Sequence, residues 1–451
     1  MKKVSILILM VAVVLSSCTN SGEGYLIGVQ GRGDFFQPDP FGMLFIPMGS
    51  YTMGPSDQDV PYSQTAQSKT VSIQAFYMDE TEITNNEYRQ FVHYVRDSIV
   101  HTILSNDDEE HLITQNDYEE DYDPPFINWR HRIRWDEPEV RQALEEEIYL
   151  PQHERFYRYR EIDSRKLNYE YYWIDLKEAA KKDFSKDKRK PDAASLSNRP
   201  VGLSDRSVYI RKDVINVYPD TLSWVHDFTY SFNEPMTENY FWHPSYDNYP
   251  VVGVNWKQAT AFCIWRTQLL HDFMHSIGEP FVHRFRLPTE SEWEWAARGG
   301  LDLNPYPWGG PYIRNSNGCF NGKYKPLRGN YVDDGGFHTI IVAHWAPNDF
   351  GLFDMGGNVA EWTSNAFDES AFNFAHDLNM DYCYDAKDED PSVLKRKVIR
   401  GGSWKDIGYY MQVSSRTYEY QDSCRCFVGF RCVQTYMGRM KGDGAGASNV
   451  Y

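Results

Sequence analysis

The sequence predicts a domain in which short β-strands alternate with a few well-capped α-helices and long turn-rich segments. Apolar or alternating runs predict strands at 43–46, 49–54 and 71–78. Three helices are indicated by apolar residues at helical spacing, and two of them open with a capping-box pattern. After Gly299, glycine, asparagine and proline punctuate short segments, which is typical of loop-rich structure. The hydrophobic share of 41% in 451 residues is sufficient for a substantial core.

The N-terminus resembles a bacterial lipoprotein signal. Two lysines precede an almost wholly apolar run at residues 4–15, which is too short to span a bilayer as a mature helix. Leu15-Ser16-Ser17-Cys18 then resembles the lipobox, in which the cysteine is acylated. We therefore expect residues 1–17 to be removed, Cys18 to carry lipid, and residues 18–40 to form a tether. The alternative is an ordinary signal peptide with an incidental cysteine.

Three helices are predicted, of which the first and the third open with a capping-box pattern. The first begins at Thr84, which forms a capping-box pattern with Glu87, and the second begins after Asn255. The third begins at Thr289 and ends at Gly299. The second helix is expected to direct four apolar residues toward a core: Ala259, Phe262, Cys263 and Leu269. Further strands are predicted at 398–404 and 428–433.

Between the first two helices lies a long charged and tyrosine-rich stretch at about residues 97–248. Residues 139–149 and 171–182 are predicted to be helical, and 181–190 to form a solvated loop. Tyr, Trp and Arg are the side chains that most often anchor interfaces. We interpret the stretch as a partner-binding insertion, the alternative being a surface excursion without a role. The Gly-rich tail at 438–451 is expected to be flexible.

Charge and cysteine content restrict the possible functions. The net charge is −18, which argues against nucleic-acid binding as the main activity and against lying flat on an anionic membrane. No later segment has eighteen consecutive apolar residues, so lipid is the only membrane anchor that the sequence indicates. Six cysteines follow Cys18, and export to an oxidising compartment permits disulfides among them.

Six motifs together resemble the formylglycine-generating-enzyme (sulfatase-modifying factor) family. They lie in the family order at 76–85 (FYMDETEITN), 250–256 (PVVGVNW), 286–300 (RLPTESEWEWAARGG), 351–362 (GLFDMGGNVAEW), 400–404 (RGGSW) and 429–431 (GFR). The resemblance implies an α+β fold that is irregular, loop-rich and related to C-type lectins. It implies one domain over residues 41–437, interrupted by the insertion.

A narrower resemblance concerns the PorK/GldK lipoproteins of the type IX secretion and gliding machinery. It rests on residues 54–60, 81–98, 171–182 and 217–221, of which the last two segments lie in the insertion. This resemblance implies a periplasmic ring built from copies of the chain and a PorN/GldN-type partner. The sister lipoprotein GldJ shares the domain and is the nearest alternative. Residues 19–24 lack an acidic-lysine run resembling a surface-export signal, which favours an outer-membrane anchor facing the periplasm.

The family resemblance also bears on catalysis. Formylglycine-generating enzymes hold copper with two cysteines soon after the Arg-Gly-Gly-Ser motif, and Cu(I) prefers such soft thiolates. Asp406 and Met411 occupy the matching positions, so we expect no enzyme activity and no catalytic cofactor. Two alternatives remain open at this point. One is an oxidase that uses a rearranged pair such as Cys424 and Cys426, and the other is a lectin-like binding module.

Structural calcium is implied at two places. Asp354, Gly357, Val359 and Glu361 match family calcium positions, where side chains and backbone carbonyls supply the oxygen ligands that Ca²⁺ prefers. A second site would use the residues Asn321, Gly322 and Asp334. The alternative is that these are turn residues bonded to their own backbone.

The resemblance finally implies one disulfide, between Cys263 and Cys432. In family enzymes the cysteines at these two motif positions pair. Two separate buried thiols, or exchange of the partner with Cys424 or Cys426, are the alternatives.

Overall fold

The computed structural model describes residues 36–55, 68–115, 119–155, 157, 159–176, 179, 209–227, 234–326, 329–378 and 380–438. Asp39–Gly438 form a compact unit. The predicted signal peptide, Cys18, most of the tether and nearly all of the tail lie outside the described residues. Among the helices of the described part, none has the length and apolar content to cross a bilayer.

One antiparallel sheet joins the two ends of the domain. Its strand order is β1 (Met43–Ile46), β4 (Phe76–Asp79), β14 (Val433–Thr435) and β9 (Phe285–Arg286). The central strand β4 is buried at every position and pairs with both β1 and β14. A strand flanked on both sides has its backbone groups satisfied, so the sheet fixes the chain termini of the domain together.

A second sheet carries the motif segments of the C-terminal half. Its order is β12 (Thr417–Tyr420), β11 (Arg396–Arg400), β10 (Ala360–Ala366) and β13 (Val428–Gly429). The β10–β13 pair is parallel, whereas the other pairs are antiparallel. Separately, β2 (Gly49–Met53) pairs with β3 (Lys69–Ile73).

The three predicted helices that flank the insertion or follow it are confirmed. They are α1 (Asn85–Leu104), α5 (Trp256–Ser276) and α6 (Glu290–Arg298). Their N-caps Thr84, Asn255 and Thr289 all form complete capping boxes. Gly299 ends α6 in the left-handed conformation, with φ +62°. Leu269 was expected in the core but is half exposed, because it lies on the outer face of α5.

Two long predicted strands are divided. The segment 71–78 is interrupted after Ile73, so that β3 and β4 belong to different sheets. The segment 428–433 divides into β13 and β14 because Phe430 and Arg431 turn into the interior between them. The predicted strand at 398–404 ends at Arg400, where two glycines with positive φ follow.

The insertion forms small elements of its own. The strands β5 (Leu112–Gln115) and β6 (Asp121–Ile127) pair, as do β7 (Asn168–Ile174) and β8 (Ile210–Asn216). Among its described residues the insertion also has three short helices, α2 (Pro138–Glu145), α3 (Ser223–Asp227) and α4 (Pro235–Asn239). A further short helix, α7 (Ala371–Phe374), lies in the C-terminal half of the domain. The helix predicted at 171–182 is wrong at its start, where the chain is a strand. Most of 175–190 lies outside the described residues.

The helix α1 links the insertion to the rest of the core. Tyr88, Phe91, Val92 and Val95 pack into the main core with residues of α5 and with Phe430. Val100 and Leu104, further along the same helix, pack with Leu144 and Ile148 of the insertion. The insertion therefore has a small hydrophobic cluster built on the last turns of a helix that begins in the family domain.

Candidate functional site

A buried carboxylate organises the motif segments of the second sheet. Glu361 on β10 accepts two hydrogen bonds from Arg431, at 2.8 Å from Nε and 2.6 Å from Nη2. Trp293 Nε1 of α6 donates to the same carboxylate at 2.7 Å. Arg431 also donates to the carbonyl of Phe353. Three of the family motifs thus meet through one bidentate ion pair, which is the strongest geometry for an arginine and a carboxylate.

Glu82 extends this buried cluster. Its carboxylate accepts from Asn358 Nδ2 at 2.8 Å and from the backbone N–H of Val359 at 3.3 Å. Burial raises the pKa of Glu82 well above its usual range, and the nearby Asp354 and Glu361 carboxylates raise it further. Three carboxyl groups therefore face one arginine, a balance that favours a proton or another cation in the cluster.

The first calcium position is partly consistent with a metal. Asp354 lies in the left-handed conformation at φ +56°, and its Oδ2 accepts from the N–H of Ala343. Among the described side chains, its Oδ1 is buried and has no hydrogen-bond partner. Burial raises the pKa of Asp354 to about 6. An orphaned buried oxygen of this kind fits a cation ligand.

The other predicted ligands at this position differ in whether they are available to bind calcium. Both oxygens of Glu361 are already bonded to Arg431 and Trp293. Gly357, with φ +93°, brings its loop against the backbone of Lys323, and Val359 follows two residues later. If calcium binds, Asp354 and the carbonyls of Gly357 and Val359 are the groups that would hold it. Calcium at this position stays a prediction.

The second calcium position already holds a positive charge. Lys323 Nζ donates to Asp334 Oδ1 at 2.7 Å, and both side chains are 1% exposed. The same ammonium group contacts the carbonyls of Gly336 and, at 3.4 Å, Tyr331. Carboxylate and carbonyl oxygens are the ligands that calcium would use. The arrangement of Asn321, Gly322 and Asp334 therefore does not fit a calcium ion, because the ammonium group of Lys323 already occupies the space between these oxygen atoms.

The positions assigned to the copper thiolates lie in and beside a 3₁₀ turn, Gly408–Met411. Asp406 accepts a 2.6 Å hydrogen bond from Ser403 Oγ, and burial raises the pKa of its carboxyl group. Met411 is fully buried. A hydrogen-bonded carboxyl and a buried thioether offer neither of the two thiolates that Cu(I) requires.

Cys424 and Cys426 follow at a different point of the chain. Cys426 is fully buried and donates to Asp227 Oδ2 at 2.8 Å. Burial raises the pKa of Cys424 to about 12, and burial together with the Asp227 carboxylate raises the pKa of Cys426. Both groups are therefore thiols at neutral pH, whereas metal ligation and nucleophilic attack use the thiolate.

Cys263 and Cys432 meet in the core. Their sulfur atoms lie 3.4 Å apart, and both residues are buried. Asp79 flanks them, accepting from the N–H of Cys432 at 2.8 Å and from Arg266 at 2.8 Å. The structure has them as free thiols in contact, so the disulfide stays a prediction.

The chain matches the model of the sulfatase-modifying factor enzyme 1-like domain over residues 35–436. The chain belongs to this family. The α+β, loop-rich fold predicted from the six motifs is thereby confirmed, and the insertion lies within the sulfatase-modifying factor domain.

Relatives of known function fall on both sides of the catalytic question. The inactive Cα-formylglycine-generating enzyme 2 of Bos taurus is 34% identical over 202 residues, which are 43% of this chain and 53% of the relative. The formylglycine-generating enzyme of Streptomyces coelicolor is 34% identical over 191 residues, covering 41% and 52%. The chain thus spans about half the length of the curated relatives it matches. PvdO from Pseudomonas aeruginosa is a structural neighbour at 15% identity and a TM-score of 0.44, with 89% of this chain and 98% of PvdO covered.

Sequence reasoning missed several residues of this region. Glu82 and Arg431 lie inside recognised motifs, but nothing in their spacing showed that they face Glu361 and Asp354. Lys323 was not singled out, although a lysine directly after Asn321-Gly322 is a signal that could have suggested an internal cation. The sequence analysis also missed a cluster of three histidines in the insertion, His101, His111 and His131, because they are separated by ten and twenty residues.

Proposed function

We propose that this chain is a non-catalytic structural lipoprotein of a type IX secretion system. Lipid on Cys18 would anchor it at the periplasmic face of the outer membrane. Copies of the chain and a PorN/GldN-type periplasmic partner would form a ring. The observation that carries the non-catalytic part is the pair Asp406 and Met411 at the positions where the resemblance places copper thiolates.

The family motifs have a structural use that is independent of catalysis. Arg400, the first residue of the Arg-Gly-Gly-Ser motif, is fully buried between Glu290 and Glu294 of α6. Glu294 also binds Arg298 at 2.7 Å, and its Oε1 accepts from the N–H of Gly54. Breaking a buried ion pair of this kind typically costs about 3–5 kcal/mol. Retention of the motifs in a chain without the copper thiols is therefore explained by stability.

The insertion provides a surface for a partner. On β7 the side chains alternate between the core and solvent, so that Tyr169 and Tyr171 are buried while Tyr172 and Ile174 are 51% and 56% exposed. On β8 the facing residue Ile210 is 50% exposed and Val214 is 54% exposed. Exposed apolar residues grouped on one face are typical of an interaction site.

The same face carries charge and an aromatic ring. Lys212 forms an ion pair with Glu170 at 2.7 Å and lies over the ring of Tyr172. An apolar centre with a polar margin is the usual anatomy of a protein interface. We define Tyr172, Ile174, Ile210 and Val214 as the hairpin face, and we assign it to the PorN/GldN-type partner.

The test is affinity purification of the tagged chain from crosslinked cell envelopes. The wild-type chain should recover a PorN/GldN-type protein together with other secretion-system components. The variant Ile174→Asp combined with Ile210→Asp should lose that partner while keeping its melting temperature. Val393→Asp is the matched control, because Val393 is equally exposed outside the insertion. Recovery of the chain alone, from wild type, would contradict the secretion assignment.

Anchoring and catalysis need separate measurements. The variant Cys18→Ala should lose fatty-acid labelling and accumulate as uncleaved or soluble precursor. Purified chain, with or without added copper, should leave a sulfatase-type cysteine peptide unmodified in mass spectra. Turnover of the peptide would instead support the rearranged-cysteine oxidase.

A further inference from the structure

Three side chains of the insertion converge at one end of the β5–β6 hairpin. They are Asp108, His111 and His131. One carboxylate oxygen of Asp108 and one ring nitrogen of each histidine lie within 4.8 Å of one another. His111 is buried, His131 is half-buried and Asp108 is exposed. The rings of the two histidines are 4.4 Å apart between centroids.

The backbone holds these residues in place. His111 ends the 3₁₀ turn Glu109–His111 and directly precedes β5, while His131 follows β6. Asn128 ties the two segments together, since its N–H donates to the carbonyl of His111 and its Nδ2 donates to the carbonyl of Glu110, both at 2.9 Å. The N–H of His131 donates to the carbonyl of Asn128 at 3.1 Å. The hairpin therefore preorganises the two histidines.

Each histidine has a neighbour on its Nδ1 atom. His111 Nδ1 lies 2.8 Å from Nδ1 of the buried His101, at the end of α1. His131 Nδ1 lies 3.3 Å from Glu110 Oε2, and its Nε2 lies 3.6 Å from Asp108 Oδ2. Histidines that bind a metal usually engage the other ring nitrogen in a hydrogen bond, which fixes the tautomer. His111 Nδ1 is so engaged with His101, and His131 Nδ1 lies within ion-pair distance of Glu110, so the Nε2 atoms are the ones we assign to a metal.

Asp108 is arranged in the same way. Its Oδ1 caps the 3₁₀ turn by accepting from the N–H of Glu110 at 3.0 Å. Its Oδ2 is the atom directed toward His131. One oxygen therefore serves the backbone, and the other remains for a ligand.

We propose that Asp108, His111 and His131 bind a zinc ion. Two imidazoles and one carboxylate suit Zn²⁺ and similar borderline cations, whereas Ca²⁺ and Mg²⁺ prefer oxygen ligands alone. Three protein ligands leave a fourth position, which a water would take. The ion would fasten the β5–β6 hairpin to the end of α1 through His101. This role is separate from the family's calcium and copper positions.

The experiment uses the purified full-length mature chain, stripped of metal by chelation. Titration with Zn²⁺ should show one ion per chain, and Co²⁺ in its place should give the visible absorption of a tetrahedral site. His131→Ala should abolish stoichiometric binding. His153→Ala is the control, because His153 is exposed in the same insertion and outside the cluster. Glu110→Ala, which removes the partner of His131 Nδ1, should weaken binding about 10–100-fold.

A second variant guards against misfolding. Asp108→Asn retains an oxygen that can cap the turn but removes the charged ligand, so its fold should survive while its zinc affinity falls. The melting temperature of each metal-free variant reports the fold directly. Failure of the wild-type chain to bind zinc stoichiometrically, or unchanged affinity in both His131→Ala and Asp108→Asn, would overturn the proposal. Neither result would bear on the secretion assignment, because that assignment uses the PorK/GldK resemblance and the hairpin face but not the histidine cluster.

Discussion

The ammonium group of Lys323 lies 2.7 Å from the carboxylate of Asp334, and neither side chain is more than 1% exposed. The contact places a covalently attached cation where the family resemblance implied calcium. Lys323 is also adjacent to the loop of the first calcium position, since its carbonyl accepts from the N–H of Asn358 at 3.0 Å. The two predicted calcium positions are therefore neighbours, and the lysine ammonium group occupies the second.

Lys323→Met should destabilise the domain strongly. The substitution leaves Asp334 buried without its cation, a loss that typically costs about 3–5 kcal/mol. Urea unfolding of purified protein measures the change. Lys325→Met is the matched control, because Lys325 is exposed two residues away. Added calcium should restore part of the stability of the Lys323 variant. Equal stability of the two variants would show that the buried pair contributes little.

Calcium at Asp354 should appear as a dependence of the melting temperature on calcium concentration. An ion that binds only the folded chain stabilises it by mass action, by about 2.7 kcal/mol at a hundred times the dissociation constant. Asp354→Asn should remove the dependence. Glu361→Ala is a poorer probe, since it also frees Arg431 and Trp293. A wild-type midpoint that is constant from chelator to millimolar calcium would rule the ion out.

If the chain is exported to an oxidising compartment, as the proposed function requires, the Cys263–Cys432 pair should be oxidised in the isolated protein. The two residues are 169 positions apart, and closing such a loop contributes roughly 4–5 kcal/mol in the chain-entropy model. Non-reducing peptide mapping should find the two peptides joined, and a reductant should lower the melting temperature. Cys319→Ala, at an exposed cysteine, should leave both results unchanged. Rapid alkylation of Cys263 in freshly isolated protein would exclude the bridge.

His338 should make the domain less stable in mild acid. Burial, aided by Lys323, lowers the pKa of His338 to about 4. An unfolded histidine has a pKa of about 6.5. Stability is therefore complete above pH 6.5 and is lost as the pH falls toward 4, because only the unfolded chain takes up the proton. The expected loss is about 1–2 kcal/mol, allowing for partial exposure.

The pH prediction is checked by urea unfolding of wild type and His338→Gln between about pH 4 and 7.5. The free energies of unfolding should converge or cross as the pH falls, since the variant lacks the titrating group. His153→Gln, at an exposed histidine, should follow wild type throughout. Parallel curves for wild type and His338→Gln would mean that His338 has no depressed pKa.

Local signals predicted the helices, and long-range contacts explain the failures. Thr84, Asn255 and Thr289 carry their capping information within three residues, so the helix starts were correct. Residues 171–174 belong to a strand because they pair with β8, which lies some forty residues later in the chain. Tyr169 and Tyr171 of the same strand pack into the main core. The break between β13 and β14 depends on Glu361, which draws Arg431 inward from another strand.

The sites show the same division. The positions of Asp406 and Met411 followed from spacing to a motif, and so could be proposed from sequence. The contact of Lys323 with Asp334 and that of His111 with His131 are different. Both depend on the course of irregular loops, which no periodic sequence pattern encodes. Side chains ten to twenty residues apart in irregular segments become neighbours only through turns whose geometry is set by the whole domain.

The continuous helix α1 has a mechanical consequence. Its twenty residues span about 30 Å, with the first half in the main core and the last turns in the cluster of Leu144 and Ile148. A helix without a proline or glycine has no point at which it bends easily, and α1 contains neither. A force applied to the insertion would therefore be transmitted along α1 to the rest of the domain with little bending of the helix. In the proposed lipid-anchored ring, such stiffness would let neighbouring copies share a load.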